Sequence, residues 1–162
     1  MRAATRSSYL LLCLFALAGT ASHAQSPTPL PAACPWVTQG SAAKALGAEV
    51  SVALNLIASG EGSCTFSHMQ KPGEFLKVEV SRSALPSCSA DGTKLKGVGN
   101  EAMRCTLPGS GDKSGEMISG RVRDLHFVVT LVSGLKKAPA SSAEAQDDAL
   151  ELIAEQIAGN LF

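Results

Sequence analysis

The sequence predicts an α+β domain, in which a short N-terminal helix and a longer C-terminal helix pack on an antiparallel sheet of about six strands. Between residues 50 and 132, short segments alternate apolar and polar residues with the period of two that half-buried strands show. Glycines and prolines separate these segments. The C-terminal segment instead repeats its apolar residues at helical spacing, and the alternation of strands and helices typical of parallel sheets is lacking.

The first segment has the pattern of a secretory signal peptide. Arg2 and Arg6 form a positive start, and the apolar run at 9–18 is shorter than the roughly 20 residues that span a bilayer. The tripeptide SHA, which ends at Ala24, places small residues where a signal peptidase cuts. We therefore expect residues 1–24 to be removed and the mature protein to be periplasmic or secreted.

An uncleaved membrane anchor is the alternative interpretation of this segment. No later apolar run is long enough to stop transfer, so we expect no stable membrane span after cleavage. Cys13 lacks the small-residue motif that precedes a lipid-attachment cysteine. Residues 25–33 carry three prolines without periodicity and predict an extended lead-in, so the single α+β domain covers 34–162.

Charge and aromatic content argue against nucleic acid as a partner. The whole chain has 14 basic and 14 acidic residues, and loss of the signal peptide removes two of the basic ones. Proteins that bind nucleic acids need a basic surface, and those that bind single strands also need stacking aromatic residues. The chain has one Trp and no block of like charge, so we expect no nucleic-acid partner.

The first half of the domain predicts a helix followed by an antiparallel meander. Thr38 is an N-cap candidate and Gly47 a C-terminal cap, so a short helix lies between them. Three alternating segments follow, whose inward positions begin at Val50, Cys64 and Leu76. A turn signal separates each from the next, which favours neighbouring strands with one buried and one wet face.

The second half predicts an irregular segment, three strands and a helix. Prolines and glycines interrupt residues 83–100, whereas 102–107, 116–122 and 125–132 have strand character. The last of these strands is branched and aromatic on both sides, which is typical of a central, well-covered strand. A capping-box pattern at Ser141 precedes the final helix. The apolar stripe of this helix is Leu150, Ile153, Ile157 and Leu161.

Four cysteines remain after cleavage, and an even number in an exported chain favours two disulfides. They are Cys34, Cys64, Cys88 and Cys105. The alternative, a structural zinc site, usually takes its cysteines in pairs two to four residues apart, and no two of these are so close. The residues alone leave all three connectivities open.

The segment GVGNEA at 97–102 contains the spelling of a dinucleotide-binding fingerprint. Such a fingerprint works only where a helix follows it, since the helix N-terminus supports the pyrophosphate. Here a Pro-Gly break at residues 108–109 leaves no room for that helix. We therefore interpret the glycines as a tight turn that leads into a strand, and we expect no cofactor.

Four short motifs together resemble a known group of exported proteins. They are CPWVT at 34–38, LG at 46–47, GSCTF at 62–66 and GVGNEA at 97–102. Small secreted or lipid-anchored bacterial proteins, catalogued as domains of unknown function, share similar motifs in this order. This chain departs from them in lacking a lipid-attachment cysteine and in its short, broken middle segment.

The resemblance covers about residues 34–160 and implies an exported α+β domain. It also implies a disulfide between Cys34 and Cys64, and we predict a second one between Cys88 and Cys105. It implies no reaction, because these families have no settled activity.

No catalytic residue set stands out. A Ser-His-Asp hydrolase would use His68 or His126 as its base, but the chain has no Gly-x-Ser-x-Gly nucleophile elbow. His126 lies between Leu125 and Phe127, which predicts a histidine packed in the sheet. A cysteine nucleophile needs a free thiol, and pairing of all four cysteines would leave none.

No metal site is expected either. A copper(I) site is the alternative, because thioether and imidazole groups suit this ion. Its candidate ligands are His68, Met69, Met103, Met117 and His126. No Met-rich repeat supports such a site, and Asp112 lacks the spaced carboxylates of a calcium loop. We interpret Glu74 and Glu79 as solvent-facing strand charges.

These observations favour an exported, noncatalytic domain that binds a protein partner or a small apolar ligand. Its binding surface would be a face of the sheet or the cleft beside the final helix. One alternative is a small extracytoplasmic enzyme that uses His68 or His126. Another is a structural accessory protein of the cell envelope.

Overall fold

The computed structural model describes most of the domain. The residues described are 32–57, 59–89, 92–108, 114–134 and 140–162. The expected signal peptide with its cleavage after Ala24, Cys13 and Asp112 lie outside them, as do the side chains of the capping-box pattern at Ser141.

Within the described residues, two helices and seven strands form the α+β fold that the sequence predicts. In chain order they are α1 (Gln39–Leu46), β1 (Val50–Leu56), β2 (Gly62–His68), β3 (Phe75–Ser81), β4 (Thr93–Leu95), β5 (Glu101–Leu107), β6 (Ser114–Val122), β7 (Leu125–Ser133) and α2 (Ala140–Leu161). Each of the six predicted strands is present. The additional strand, β4, lies in the segment predicted to be irregular.

All strands belong to one antiparallel sheet in the order β1-β2-β3-β7-β6-β5-β4. The predicted meander forms its first three strands, and β7 lies in the middle between β3 and β6. The short strand β4 lies at one edge, where Thr93 and Lys94 are exposed. Three residues with two exposed side chains show no alternation, so pairing with β5 decides their conformation.

Local chemistry sets both ends of α1, and an apolar stripe orients α2. The Thr38 hydroxyl caps α1 by accepting a hydrogen bond from the Ser41 N–H at 3.0 Å. Gly47 ends this helix in the left-handed conformation, with φ at 65°. In α2, Leu150 and Ile157 have no exposed surface, so the predicted stripe faces inward.

The main core lies between this helical layer and one face of the sheet. Three cross-strand pairs of β3 and β7 form its centre, and all six side chains are buried. The pairs are Leu76–Leu131, Val78–Val129 and Val80–Phe127. Buried residues of α1 and α2 complete the same cluster. Removal of this apolar surface from water drives the packing of the helices on the sheet.

A second, smaller apolar cluster lies on the opposite face of the sheet. Met117 and Val128 form it with Cys88, and Leu85 and Met103 pack against them. Met117 and Val128 come from β6 and β7, whereas Cys88 and Leu85 come from the segment between β3 and β4. That segment therefore covers part of the face that the helices leave open.

Each face of the sheet has one disulfide. Cys34 is bonded to Cys64 of β2, which joins the segment before α1 to the helix-covered face. Cys88 is bonded to Cys105 of β5, which joins the irregular segment to the opposite face. This is the pairing predicted above, and such bonds are typical of an oxidising, extracytoplasmic environment.

Residues 97–100 of the GVGNEA segment lie in the turn between β4 and β5, and its last two residues begin β5. Gly97 and Gly99 have φ of 83° and 63°, a conformation that favours glycine, and the buried Val98 between them enters the core. A Cβ on Gly99 would lie 2.6 Å from the Arg121 carbonyl oxygen. A strand follows, as predicted, and Gly99 permits close contact with β6.

Membrane-spanning helices require both length and sustained apolar character. Neither helix in the described part of the chain combines the two.

Candidate functional site

The segment after β3 crosses the sheet face opposite the helices, and we call residues 82–88 the strap. Its far end is fixed covalently by the bond from Cys88 to Cys105 of β5. The Cys88 N–H also donates to the Ser119 Oγ of β6 at 3.1 Å. Leu85 packs on the apolar cluster between these points. The strap therefore runs from the end of β3 over β7 and β6 to β5.

Ion pairs hold the near end of the strap. Arg82 contacts two carboxylates, with Nη1 3.1 Å from the Glu61 Oε1 and Nε 3.2 Å from the Asp124 Oδ2. These carboxylates precede β2 and join β6 to β7, respectively. Because Arg82 is half exposed, solvent screens both ion pairs, and the disulfide is the stronger of the two attachments.

The Glu61 carboxylate has a further role at the start of the strap. It accepts hydrogen bonds from the Arg82 backbone N–H at 2.8 Å and from the Ser81 hydroxyl at 3.1 Å. Since both bonds favour the ionised form, the first more than the second, they lower the pKa of Glu61 below its ordinary value of 4.5. Ionised Glu61 therefore stabilises the folded state.

We expect Glu61→Gln to lower the urea midpoint of unfolding at neutral pH. The contribution of Glu61 is fully present above about pH 4.5, where the carboxylate is ionised even in the unfolded chain. It is lost as the pH falls through the lowered pKa of the folded state. The gap between wild type and variant should therefore close in acid, and urea titrations from pH 7 to pH 3 measure it. A gap that stays constant over this range would contradict the assignment.

Between the strap and the sheet lies a cavity of about 530 Å³. Sites for small molecules usually have volumes of about 300–1,000 Å³. The strap contributes residues 84–88 to the lining, and strands β4 to β7, with Asn100 of the β4–β5 turn, contribute the remainder. The polar lining includes Lys94, Glu101, Ser119, Arg121 and His126. The apolar lining includes Leu85, Met103 and Val128.

Of the two histidines considered as catalytic bases, His126 lines the cavity. It is half buried on β7, where its cross-strand neighbours are Ser81 of β3 and Arg121 of β6. As predicted, His126 lies in a strand of the sheet. The His126 side chain is on the face of the sheet that the strap covers. The imidazole therefore lies among polar groups as well as apolar ones.

His68 lies on the opposite face of the sheet, away from the cavity. It is 7% exposed and occupies the last inward position of β2, after Phe66. Its Nδ1 accepts a hydrogen bond from the Gln70 N–H at 3.1 Å. His68 therefore has a structural role at the end of this strand.

The prediction that Glu74 faces solvent is wrong, because Glu74 is buried and only 7% exposed. Its carbonyl accepts a hydrogen bond from the His68 N–H at 3.0 Å, which extends the pairing of β2 and β3 by one residue. Counting back by two from Leu76 places Glu74 on the inward face. Its carboxylate lies 3.8 Å from the Lys71 Nζ.

The candidate copper ligands lie at different places in the fold. Met103, Met117 and His126 are on the strap side of the sheet, whereas His68 is on the helix side and Met69 is 63% exposed. Among the residues that the structure describes, no group of three or more His, Cys, Asp or Glu side chains could hold a metal ion.

The four cysteines of the domain offer no thiol chemistry. Each is part of a disulfide, so none of the four is available as a nucleophile or as a thiolate ligand.

Sequence reasoning missed most of the cavity lining. Lys94, Ser119 and Arg121 have no distinguishing motif, and only the pairing of four strands brings them together. One signal in the sequence does point to the strap. Cys88 lies in an irregular segment, and a disulfide from it to a strand would hold that segment across the sheet.

Comparison with family models, with curated proteins and with solved structures gives no match to this chain.

Proposed function

We propose that this protein is an exported domain that binds a small ligand in the cavity between the strap and the sheet. The way the strap is attached is the strongest support for a ligand site. Cys88 at its far end is bonded to β5, Arg82 at its near end forms ion pairs just before β2 and β7, and residues 84–88 between them line the cavity. Besides covering the apolar cluster, this segment borders an open space of about 530 Å³.

Export is part of the same proposal. The pattern of residues 1–24 is that of a cleaved signal peptide, and two disulfides suit a periplasmic or secreted protein. The disulfides also maintain the cavity, since one of them fixes the strap. In a reducing compartment the strap would lose its stronger attachment.

Ligand binding can be tested with a matched pair of strap variants. Ala84 lines the cavity, whereas its exposed neighbour Ser83 does not. A panel of neutral, anionic and cationic fragments is titrated into the oxidised protein, and amide chemical shifts are recorded by NMR. We expect shifts at residues 84, 85, 87 and 88 and at the lining positions of β5 to β7. Ala84→Trp should abolish them because the indole occupies the cavity, and Ser83→Trp should retain them.

Two results would overturn the proposal. One is a panel in which no fragment shifts the lining amides. The other is a set of shifts that Ala84→Trp leaves unchanged, since the ligand would then bind elsewhere.

An enzyme that uses His126 is the second candidate, because the imidazole lies in the cavity. In that case purified protein would turn over a member of a general hydrolase substrate panel. His126→Ala would abolish turnover while the protein stays folded. His68→Ala serves as the comparison, since His68 lies on the other face. Turnover with this pattern would replace the binding proposal.

A further inference from the structure

A row of polar side chains crosses the sheet at one end of the cavity. Glu101, Arg121 and His126 occupy matched positions on β5, β6 and β7, and Ser81 continues the row on β3. The first three line the cavity. Glu101 and Arg121 are exposed, so this end of the cavity contacts solvent. We call Glu101, Arg121 and His126 the polar row.

Positive charge predominates among the charged residues of the cavity lining. The Arg121 Nε donates to the Glu101 Oε1 at 2.6 Å, which uses one of the five N–H groups of the guanidinium. Lys94 also lines the cavity, and among the described residues it has no ion-pair partner. Lys94 lies opposite Met103 rather than in the polar row, so two cations and one carboxylate line the cavity as a whole, even when His126 is neutral. An anionic group is the complement of this arrangement.

Apolar side chains line the cavity next to the polar row. Val128 follows His126 by two residues on the same face of β7 and is 3% exposed. Met103 lies two positions from Glu101 on β5, and Leu85 of the strap packs on the same apolar cluster. A ligand whose polar group meets the row therefore places its remaining surface against these side chains.

We infer that the ligand is a small amphiphile with one carboxylate and an aliphatic part, and this inference rests on the proposed function. The carboxylate binds Arg121 at the solvent end, and Lys94, opposite Met103, adds positive charge to the lining. The aliphatic part lies between Leu85, Met103 and Val128, beneath the strap. The neighbouring positions of polar and apolar lining residues on the same strands carry this inference.

Three probes with the same alkyl chain separate the charge from the apolar contribution: octanoate, 1-octanol and octylamine. Calorimetric titration of the oxidised protein at low salt should rank octanoate about tenfold or more tighter than octanol, because charged hydrogen bonds are stronger than neutral ones. Octylamine should bind more weakly than octanol. Equal affinities, or a preference for the amine, would overturn the inference.

Charge variants provide a second measurement. Arg121→Gln and Lys94→Gln should each weaken octanoate several-fold and leave octanol unchanged. Glu101→Gln should strengthen octanoate, since it removes the only carboxylate of the polar row and releases Arg121. Lys77→Gln is the control, because Lys77 does not line the cavity and contacts Glu79 at 2.9 Å. Octanoate affinity that Arg121→Gln and Glu101→Gln leave unchanged would also overturn the inference.

Failure of this inference differs from failure of the proposed function. If fragments shift the lining amides but octanoate has no advantage over octanol, the cavity is a binding site for another chemical class. If no fragment shifts those amides, the site itself is wrong.

Discussion

Replacing Ile157 by alanine lowers the free energy of unfolding by about 2–5 kcal/mol, the range for truncation of a buried Ile. Ile157 has no exposed surface and belongs to the stripe that holds α2 on the sheet and against α1. Shortening this side chain leaves a cavity between helix and sheet. Total stability of such domains is about 5–15 kcal/mol, so one truncation removes a large share.

Trp36 provides the measurement. It is the only tryptophan of the chain, is 3% exposed, and accepts a hydrogen bond at its carbonyl from the Asn160 Nδ2 of α2. Its fluorescence therefore reports on urea unfolding near this helix. Leu152→Ala is the control, since Leu152 is 56% exposed and should change stability by less than about 0.5 kcal/mol. Equal losses in the two variants would contradict the docking face of α2.

Removing the Cys34–Cys64 bond, as Cys34→Ala/Cys64→Ala, is expected to lower the free energy of unfolding by about 3–4 kcal/mol. The bond links positions 30 residues apart and so restricts the unfolded chain. Cys64 has no exposed surface and lies in the main core, so its truncation also loses packing. Urea titration of the double variant against wild type, both without reductant, measures the loss.

Removal of the other disulfide separates an effect on stability from an effect on ligand binding. Cys88→Ala/Cys105→Ala removes a bond that links positions 17 residues apart, and a comparable loss of about 3 kcal/mol is expected. Only this variant releases the strap, so only it should lose the fragment-induced shifts at the cavity. The assignment of the strap fails if the Cys34–Cys64 variant, under conditions where it is folded, loses those shifts and the Cys88–Cys105 variant keeps them.

Elements with local sequence signals could be predicted. The alternation at Leu76, Val78 and Val80 corresponds to three side chains that are at most 1% exposed. The stripe of α2 and the caps of α1 are similarly local, because a period or a single capping residue decides them. The predicted faces follow from the same periods.

Elements that depend on distant residues could not be predicted. The strand β4 exists through its pairing with β5, since Thr93 and Lys94 have no buried face of their own. The cavity forms only when an irregular strap is fixed over four strands, and no window of sequence contains that arrangement. Glu74 differs, because the alternation around Leu76 places it inside the protein. Its charge led to the wrong expectation.

The two outer strands of the sheet differ in a way that matters for storage and purification. β4 is three residues long, and a short edge strand gives a neighbouring molecule little to pair with. β1 is seven residues long and contains no charged side chain, and no described strand lies along its outer side. The Val50 carbonyl accepts a hydrogen bond from the Gln39 Nε2, and the other outer N–H and C=O groups of β1 form a template for intermolecular pairing. Aggregation at high protein concentration is thus expected to begin along β1.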